Sequence, residues 1–281
     1  MGMRIMKRGI ICFAAAVSIV NAAETVSADG VLSPEAEMNI SDTAKSSEED
    51  RISKRMKISY SSEAEWKNVA RLYMNGYEDG TIRPDGCLTR AEAAAMVARL
   101  QKHEKNISRY GKNLYSDVEN GWYDKYISYV SRKGIMQGYP DGSFKPDSNI
   151  TRAELAQLIW NLDTRNENRA PFSDIEGHWA EQTVHSLFGT GRVEGYPDGT
   201  FRPDRPISRA EAARVLNKYF DRGIDPENFE ITENIKTFSD LSKEHWGYYE
   251  LIEASHSHIY ERDENGTRFS KWIEVIPDYE E

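Results

Sequence analysis

Two hundred and eighty-one residues, 39% of them apolar and 29% charged, are enough to bury a core and are neither collagenous nor uniformly disordered. Thirty-six Lys and Arg against 46 Asp and Glu leave a net charge of -10, which excludes a sequence-independent hold on nucleic acid. An anionic partner has to be gripped by a few placed guanidinium groups.

The chain opens on a secretory signal pattern, assigned to residues 1–28, in which Arg4, Lys7 and Arg8 precede an apolar run from Ile10 to Val20 and small residues follow. The run is too short to span a bilayer, and no later stretch reaches the ~20 apolar residues of a transmembrane helix. Removal of the signal takes Cys12 away and leaves Cys87, so no intramolecular disulfide is expected. An exported bacterial protein fits that cysteine usage. Residues 29–58, rich in Ser, Glu, Asp and Lys, read as a flexible polar leader.

The remainder is organised by a repeat. Gly-Tyr-x-Asp-Gly-x-x-x-Pro-Asp begins at Gly76, Gly138 and Gly195, and in each copy an Arg follows the Gly by 14 residues, within Leu/Ile-Thr/Ser-Arg-Ala-Glu. An aromatic-Ser-Asp-aliphatic string opens the unit at Tyr115, Phe172 and Phe238. The units are 59–105, with a degenerate start, then 113–165 and 170–222, followed by a partial fourth unit and acidic tail at 236–281.

In chain order, the first helix of repeat one is placed near Ser62–Met74, ahead of its loop and of an Ala-rich second helix from Ala91 to Leu100. Trp122, Tyr126, Tyr129 and Val130 give the helical spacing of repeat two, ended near Gly134; Trp179, Thr183, Leu187 and Phe188 do the same in repeat three, ended by Gly189. Tyr-Pro-Asp-Gly at 139–142 and 196–199 has the residue order of a tight turn. Each unit is thus helix, turn-rich loop, helix. Units of this size cannot bury their apolar faces alone, so an all-α body with one shared core is expected.

Thr89 with Glu92, Thr151 with Glu154, and Ser208 with Glu211 have the spacing of a capping box, worth ~1 kcal/mol per cap. The box leaves Arg90, Arg152 and Arg209 unexplained, because a cation at the first helical position opposes the macrodipole. Two explanations stand open: ion pairs with the loop carboxylates Asp85, Asp147 and Asp204, or an anion site made by an Arg fork and free helix N–H groups.

Phe-Ser-Asp-Ile-x-x-His-Trp-Ala at 172–180, Gly-Tyr-Pro-Asp-Gly-Thr-Phe-x-Pro at 195–203 and Ile-Ser-Arg-Ala-Glu at 207–211 resemble the S-layer homology family. Repeat two matches from Tyr115 to Leu162 with Gly121-Trp122-Tyr123 replacing His-Trp-Ala, and repeat one matches from Gly76 onward. The resemblance implies three pseudo-threefold helix–loop–helix repeats whose grooves bind secondary cell-wall polysaccharide bearing a pyruvylated amino sugar. It further implies non-covalent anchoring at a bacterial cell wall, with other surface-layer proteins as further partners and no cofactor. In that family the Arg of the Thr-Arg-Ala-Glu string meets the ligand's acid group, which maps to Arg90, Arg152 and Arg209. Tyr139, Tyr196, Trp122 and Trp179 are the aromatic groove candidates, with core packing as the alternative for the Trp residues. The partial fourth unit is expected to pack against repeat one or three and complete the ring.

A surface-layer assembly module that does not touch the wall directly is the rival function. An enzyme is not expected, since no nucleophile elbow, phosphate loop or His-Glu-x-x-His string occurs. No metal site is expected either: His256, His258 and Glu253 do not share one helix face, and the Asp-Gly loops lack the calcium-loop register.

Overall fold

The computed structural model describes residues 68–101, 104–107, 114–119, 121–162, 169–230, 233–262 and 268–276, all within the unit Trp66–Glu281. The signal assigned to 1–28, the leader 29–58, the start of repeat one and the last residues of the acidic tail lie outside the described residues. In chain order the elements are β1 (Asn68–Ala70), α1 (Arg90–Gln101), α2 (Glu104–Ile107), α3 (Asp124–Arg132), α4 (Arg152–Trp160), α5 (Glu181–Gly189), α6 (Arg209–Tyr219), α7 (Tyr248–Ser255), β2 (His258–Arg262) and β3 (Ser270–Val275).

The second helix of each repeat starts at its Arg because the residue before it caps. Thr151 accepts from the Glu154 N–H and Ser208 from the Glu211 N–H, and in both the Glu carboxylate reaches back to the cap N–H. Thr89 and Glu92 make the same exchange at 3.2 and 2.9 Å. Small Ala side chains then let α1 be buried on every face from Arg90 to Ala98, the mark of a helix at the centre of a body. Of the first helices, α5 buries one stripe, Thr183, Val184, Ser186 and Leu187, and α3 buries more than a full turn, Tyr126 to Val130.

Each second helix packs against the first helix of the next unit: α1 on α3, α4 on α5, α6 on α7. On the axis of this arrangement the backbone closes a ring. Leu88 N–H donates to the Ile207 carbonyl at 3.0 Å, Ile207 to Ile150 at 3.0 Å, and Ile150 to Leu88 at 2.9 Å. The three side chains are fully buried there.

Repeat one departs from expectation. Residues 68–76 hold β1 and then irregular chain, with no helix, because α7 of the partial fourth unit takes that place. Tyr73 and Met74 N–H both donate to the Ala254 carbonyl, at 2.9 and 3.0 Å, and the buried Tyr73 hydroxyl donates to Asn217 at 2.7 Å. The fourth unit's opening also serves repeat one's loop. Asp240 accepts from the N–H groups of Ile82 and Arg83 at 2.8 Å, as Asp117 does from Phe144 and Lys145 at 2.7 Å. Asp174 treats Phe201 and Arg202 alike. Arg83, Lys145 and Arg202 have φ of 53°, 57° and 57°, a left-handed conformation rarely taken by such residues, and the Asp clamp holds it.

The fold is mostly helical, with one small sheet that the repeat pattern does not announce. Its order is β1-β2-β3, both pairs antiparallel, with Val69 opposite Ile259 and Tyr260 opposite Trp272. The sheet joins the start of repeat one to the C-terminal segment over a second small core of Ile224, Ile252, Trp272 and Val275. No helix among the described residues is long and apolar enough to cross a membrane.

Candidate functional site

The three Arg residues of the capping strings reach out of their own repeat into the next. Arg90 donates from Nε to the Phe144 carbonyl at 2.8 Å, from Nη2 to the Gln137 carbonyl at 2.9 Å and from Nη1 to Glu154 at 3.1 Å. Arg152 does likewise to the carbonyls of Phe201 at 2.8 Å and Glu194 at 2.9 Å. Arg209 closes the circle onto repeat one, through the carbonyls of Ile82 and Asn75, both at 2.7 Å, and through Glu92 at 3.1 Å. All three are buried, between 3 and 8% exposed.

The loop-carboxylate explanation is therefore overturned, and the anion explanation loses its free helix N–H groups. Asp85 and Asp204 stand against His245 and His178, at 3.4 and 3.2 Å, and Asp147 lines a groove; a buried guanidinium is better met by carbonyls and a half-buried Glu than by exposed loop carboxylates. The helix N–H groups are not free either. Those of Arg90 and Ala91 donate to Ser148 and Pro146, those of Arg152 and Ala153 to Arg205 and Pro203, and those of Arg209 and Ala210 to Gly86 and Pro84. The neighbouring loop fills the amide cradle that the sequence offers to an anion.

Each capping Glu is a shared acceptor. One oxygen holds the cap N–H, and the other takes a Tyr hydroxyl, from Tyr77 to Glu92 at 2.6 Å, Tyr139 to Glu154 at 3.3 Å, and Tyr196 to Glu211 at 2.7 Å. Burial and the adjacent Glu92 push the Tyr77 hydroxyl up to about 12, which keeps it a neutral donor; burial raises Tyr139 and Tyr196 in the same direction. A loop cation covers each ring: Arg83 on Tyr77 at 3.8 Å, Lys145 on Tyr139 at 4.1 Å, Arg202 on Tyr196 at 4.0 Å.

Two open grooves lie beside these triads. The larger, about 950 Å³, gathers Tyr77, Glu92, Arg99, Arg209, Cys87 and Trp122. The smaller, about 270 Å³, gathers Arg152, Tyr196, Glu211, Arg214, Lys218 and Trp246. Arg90, Tyr139 and Glu154 form the third triad, with the Arg90 guanidinium 4.8 Å from the Tyr139 ring centre. Trp122, Trp179 and Trp246 are 57, 60 and 51% exposed, so the core alternative for the first two does not apply. Each sits just ahead of its helix, where helical spacing continues but the core does not.

Sequence reading picked out neither Tyr77 nor Trp246 as a site residue, although the Gly76-Tyr77 and His245-Trp246 strings repeat those of the other units. Among the described residues no group of three metal-ligating side chains occurs. His256 accepts from the Lys236 N–H at 2.8 Å, His258 stacks on Trp272 at 3.7 Å, and Glu253 binds Arg222 at 2.9 Å and Trp272 at 3.0 Å. The loop aspartates Asp79 and Asp198 accept from Thr81 and Thr200 within their turns, and these bonds with those from Arg83 and Arg202 hold both carboxyls down at about 2.

The S-layer homology domain family matches residues 62–94, 114–156 and 171–213, the three segments that carry these triads. The chain carries three S-layer homology domains. It is 33% identical over 218 residues to cell surface glycoprotein 1 of Acetivibrio thermocellus, a match covering 73% of this chain and 9% of that protein. A cellulosome-anchoring protein of the same organism is 36% identical over 205 residues, covering 69% of this chain and 44% of the relative. The S-layer protein of Bacillus licheniformis is 29% identical over 158 residues, covering 54% of this chain and 18% of the relative. The chain thus spans less than half the length of each of these relatives. The third S-layer homology match ends at 213, ahead of α7, β2 and β3.

Proposed function

We propose that the chain is a non-covalent cell-surface anchor whose S-layer homology repeats bind secondary cell-wall polysaccharide, with a pyruvylated amino sugar as the recognised unit. The observation that carries this reading is the repeated groove: an exposed Trp beside a buried Arg, a Tyr and a Glu, in a chain whose relatives include a cellulosome-anchoring protein and S-layer proteins. Flat aromatic faces suit sugar C–H surfaces, which gives Trp122, Trp179 and Trp246 the role of platforms. Tyr77, Tyr139 and Tyr196 set the groove floors, and one or more of Arg90, Arg152 and Arg209 supplies the N–H groups that meet the acid. The site of action is the bacterial cell wall after export. The likeness to S-layer proteins also favours a second reading, binding to other surface-layer proteins.

The test is co-sedimentation of residues 29–281 with purified Gram-positive wall sacculi, before and after hydrofluoric acid strips the secondary polysaccharide. Trp122→Ala with Trp246→Ala serves as the binding variant, because both side chains are exposed and their loss spares the core. Binding to native walls alone, weakened in the variant, supports the anchor; retained binding to stripped walls makes peptidoglycan the ligand and overturns the polysaccharide reading. A folded wild type that stays in solution with every native wall overturns the anchor and leaves the protein-partner reading.

A further inference from the structure

The three triads differ in the loop residue that stands beside the shared Glu. Ten residues after the loop glycine stand Gly86, Ser148 and Arg205. Arg205 Nη2 donates both to the Tyr196 hydroxyl and to Glu211 Oε1. In the other two triads the equivalent Glu oxygen takes the buried Arg instead, at 3.1 Å for Arg209 on Glu92 and for Arg90 on Glu154. Arg152 Nη1 stands off from Glu211 at 3.8 Å, beyond hydrogen-bond reach. Its Nε and Nη2 are spent on carbonyls, which leaves Nη1 with only the long ion pair to Glu211, on a groove-lining side chain 8% exposed.

The surroundings point the same way. Around Arg152 the groove adds Arg192, Arg214 and Lys218 against Glu194 and Glu211, and Glu194 is already paired with Arg214 at 3.3 Å and with Lys218. The Tyr77 groove sets Arg83, Arg99 and Arg209 against Glu78, Asp79, Glu92 and Asp147. A carboxylate entering the first meets a partly desolvated guanidinium whose Nη1 has only a long ion pair. Entering the second, it meets an acidic wall and an Arg already engaged.

We infer that the Tyr196 groove is selective for an acid-bearing sugar, that the Tyr77 groove takes neutral sugar, and that Arg205 sets the difference by drawing Glu211 away from Arg152. The inference deepens the glycan-binding reading and rests on it for the identity of the ligand, while the groove assignment has its own readout. Arg205 acts through Arg152 and Glu211, as a specificity residue.

The experiment follows the indole N–H resonances of Trp246 and Trp122 by NMR in the full chain while the dimethyl ketal of pyruvate, a small mimic of the ketal acid, is titrated in. Trp246 should shift and Trp122 stay still, and Arg205→Ser, the residue of repeat two, should weaken the response about tenfold, the worth of one charge-assisted hydrogen bond. In parallel, Arg205→Ser should lose affinity for the released wall polysaccharide but not for the same polysaccharide after mild acid has removed its ketal acids. A response at Trp122, no response at either Trp, or an unchanged response in Arg205→Ser overturns the assignment even where the polysaccharide binds. A response confined to Trp246 with no polysaccharide bound keeps the anion groove and removes the wall-anchoring reading.

Discussion

Arg209, in the third repeat, donates to Glu92, in the first, at 3.1 Å across 117 positions of sequence. This contact turns a linear array into a closed body, since its two counterparts only join neighbours in the chain. Because Arg209 is 3% exposed and also holds the carbonyls of Ile82 and Asn75, its removal takes the cation from Glu92 and a donor from each of two carbonyls.

Arg209→Ala should therefore destabilise the protein by roughly 3 to 5 kcal/mol, the usual cost of breaking a buried pair. Arg209→Lys should recover little, because an ammonium cannot span three acceptors with the geometry of a planar fork. Urea unfolding of both variants checks this. A loss below about 1 kcal/mol in Arg209→Ala would show that the ring does not depend on its Arg residues.

The partial fourth unit should be indispensable. Residues 59–222 contain all three family matches but lack α7, which packs on α6, and Asp240, which clamps the loop of repeat one. That fragment should lack a near-UV circular dichroism signal and a cooperative thermal transition, while a chain extending to Ile276 keeps both. A cooperative transition in the shorter fragment would contradict the architecture.

The repeats, the caps, the tight turns and the helical stripes were all legible in the sequence, because each depends on residues within a few positions of one another. The partners of Arg90, Arg152 and Arg209 were not, since the carbonyls they hold lie 42 to 134 positions away and carbonyls have no side-chain signature. Trp122 and Trp179 continue the stripes of α3 and α5, yet they stand at the mouths of the helices, and spacing cannot distinguish a rim from a core. At residues 68–74 the degenerate start of repeat one marked a departure from the pattern but not the loss of the helix expected there. Its substitute could be suggested from Phe238-Ser239-Asp240 but not placed.

Cys87 is exposed and lines the Tyr77 groove. If that groove takes glycan, alkylation of Cys87 by a maleimide in residues 29–281, where it is the single thiol, should slow when the wall polysaccharide is present. Trp122→Ala should restore the rate. An unchanged rate at saturating polysaccharide would remove the Tyr77 groove from the binding surface.

Burial, followed by the nearby Arg222 guanidinium, pushes His258 down to about 3 from its usual 6.5. The unfolded chain takes up this proton first, so the stability that neutral His258 contributes is full above about 6.5 and is lost as the pH falls toward 3. The slope in that window should be up to roughly 1.4 kcal/mol per pH unit. His258→Phe, which can keep the stack on Trp272, should flatten it. Thermal unfolding of both proteins between pH 6.5 and 4 gives the comparison, and parallel curves would exclude His258 as the acid-sensitive group.

The ring of Leu88, Ile150 and Ile207 has a consequence for how such proteins can grow. Each of the three spends its one amide and its carbonyl on the other two, so the axis has no open edge at which a further loop could join. Duplicating one repeat would leave the newcomer without a seat. The valence of this body is fixed at three, and α7 does not raise it: it seats Leu251 and Ala254 in the shared core against α6 and completes the ring without adding a fourth place.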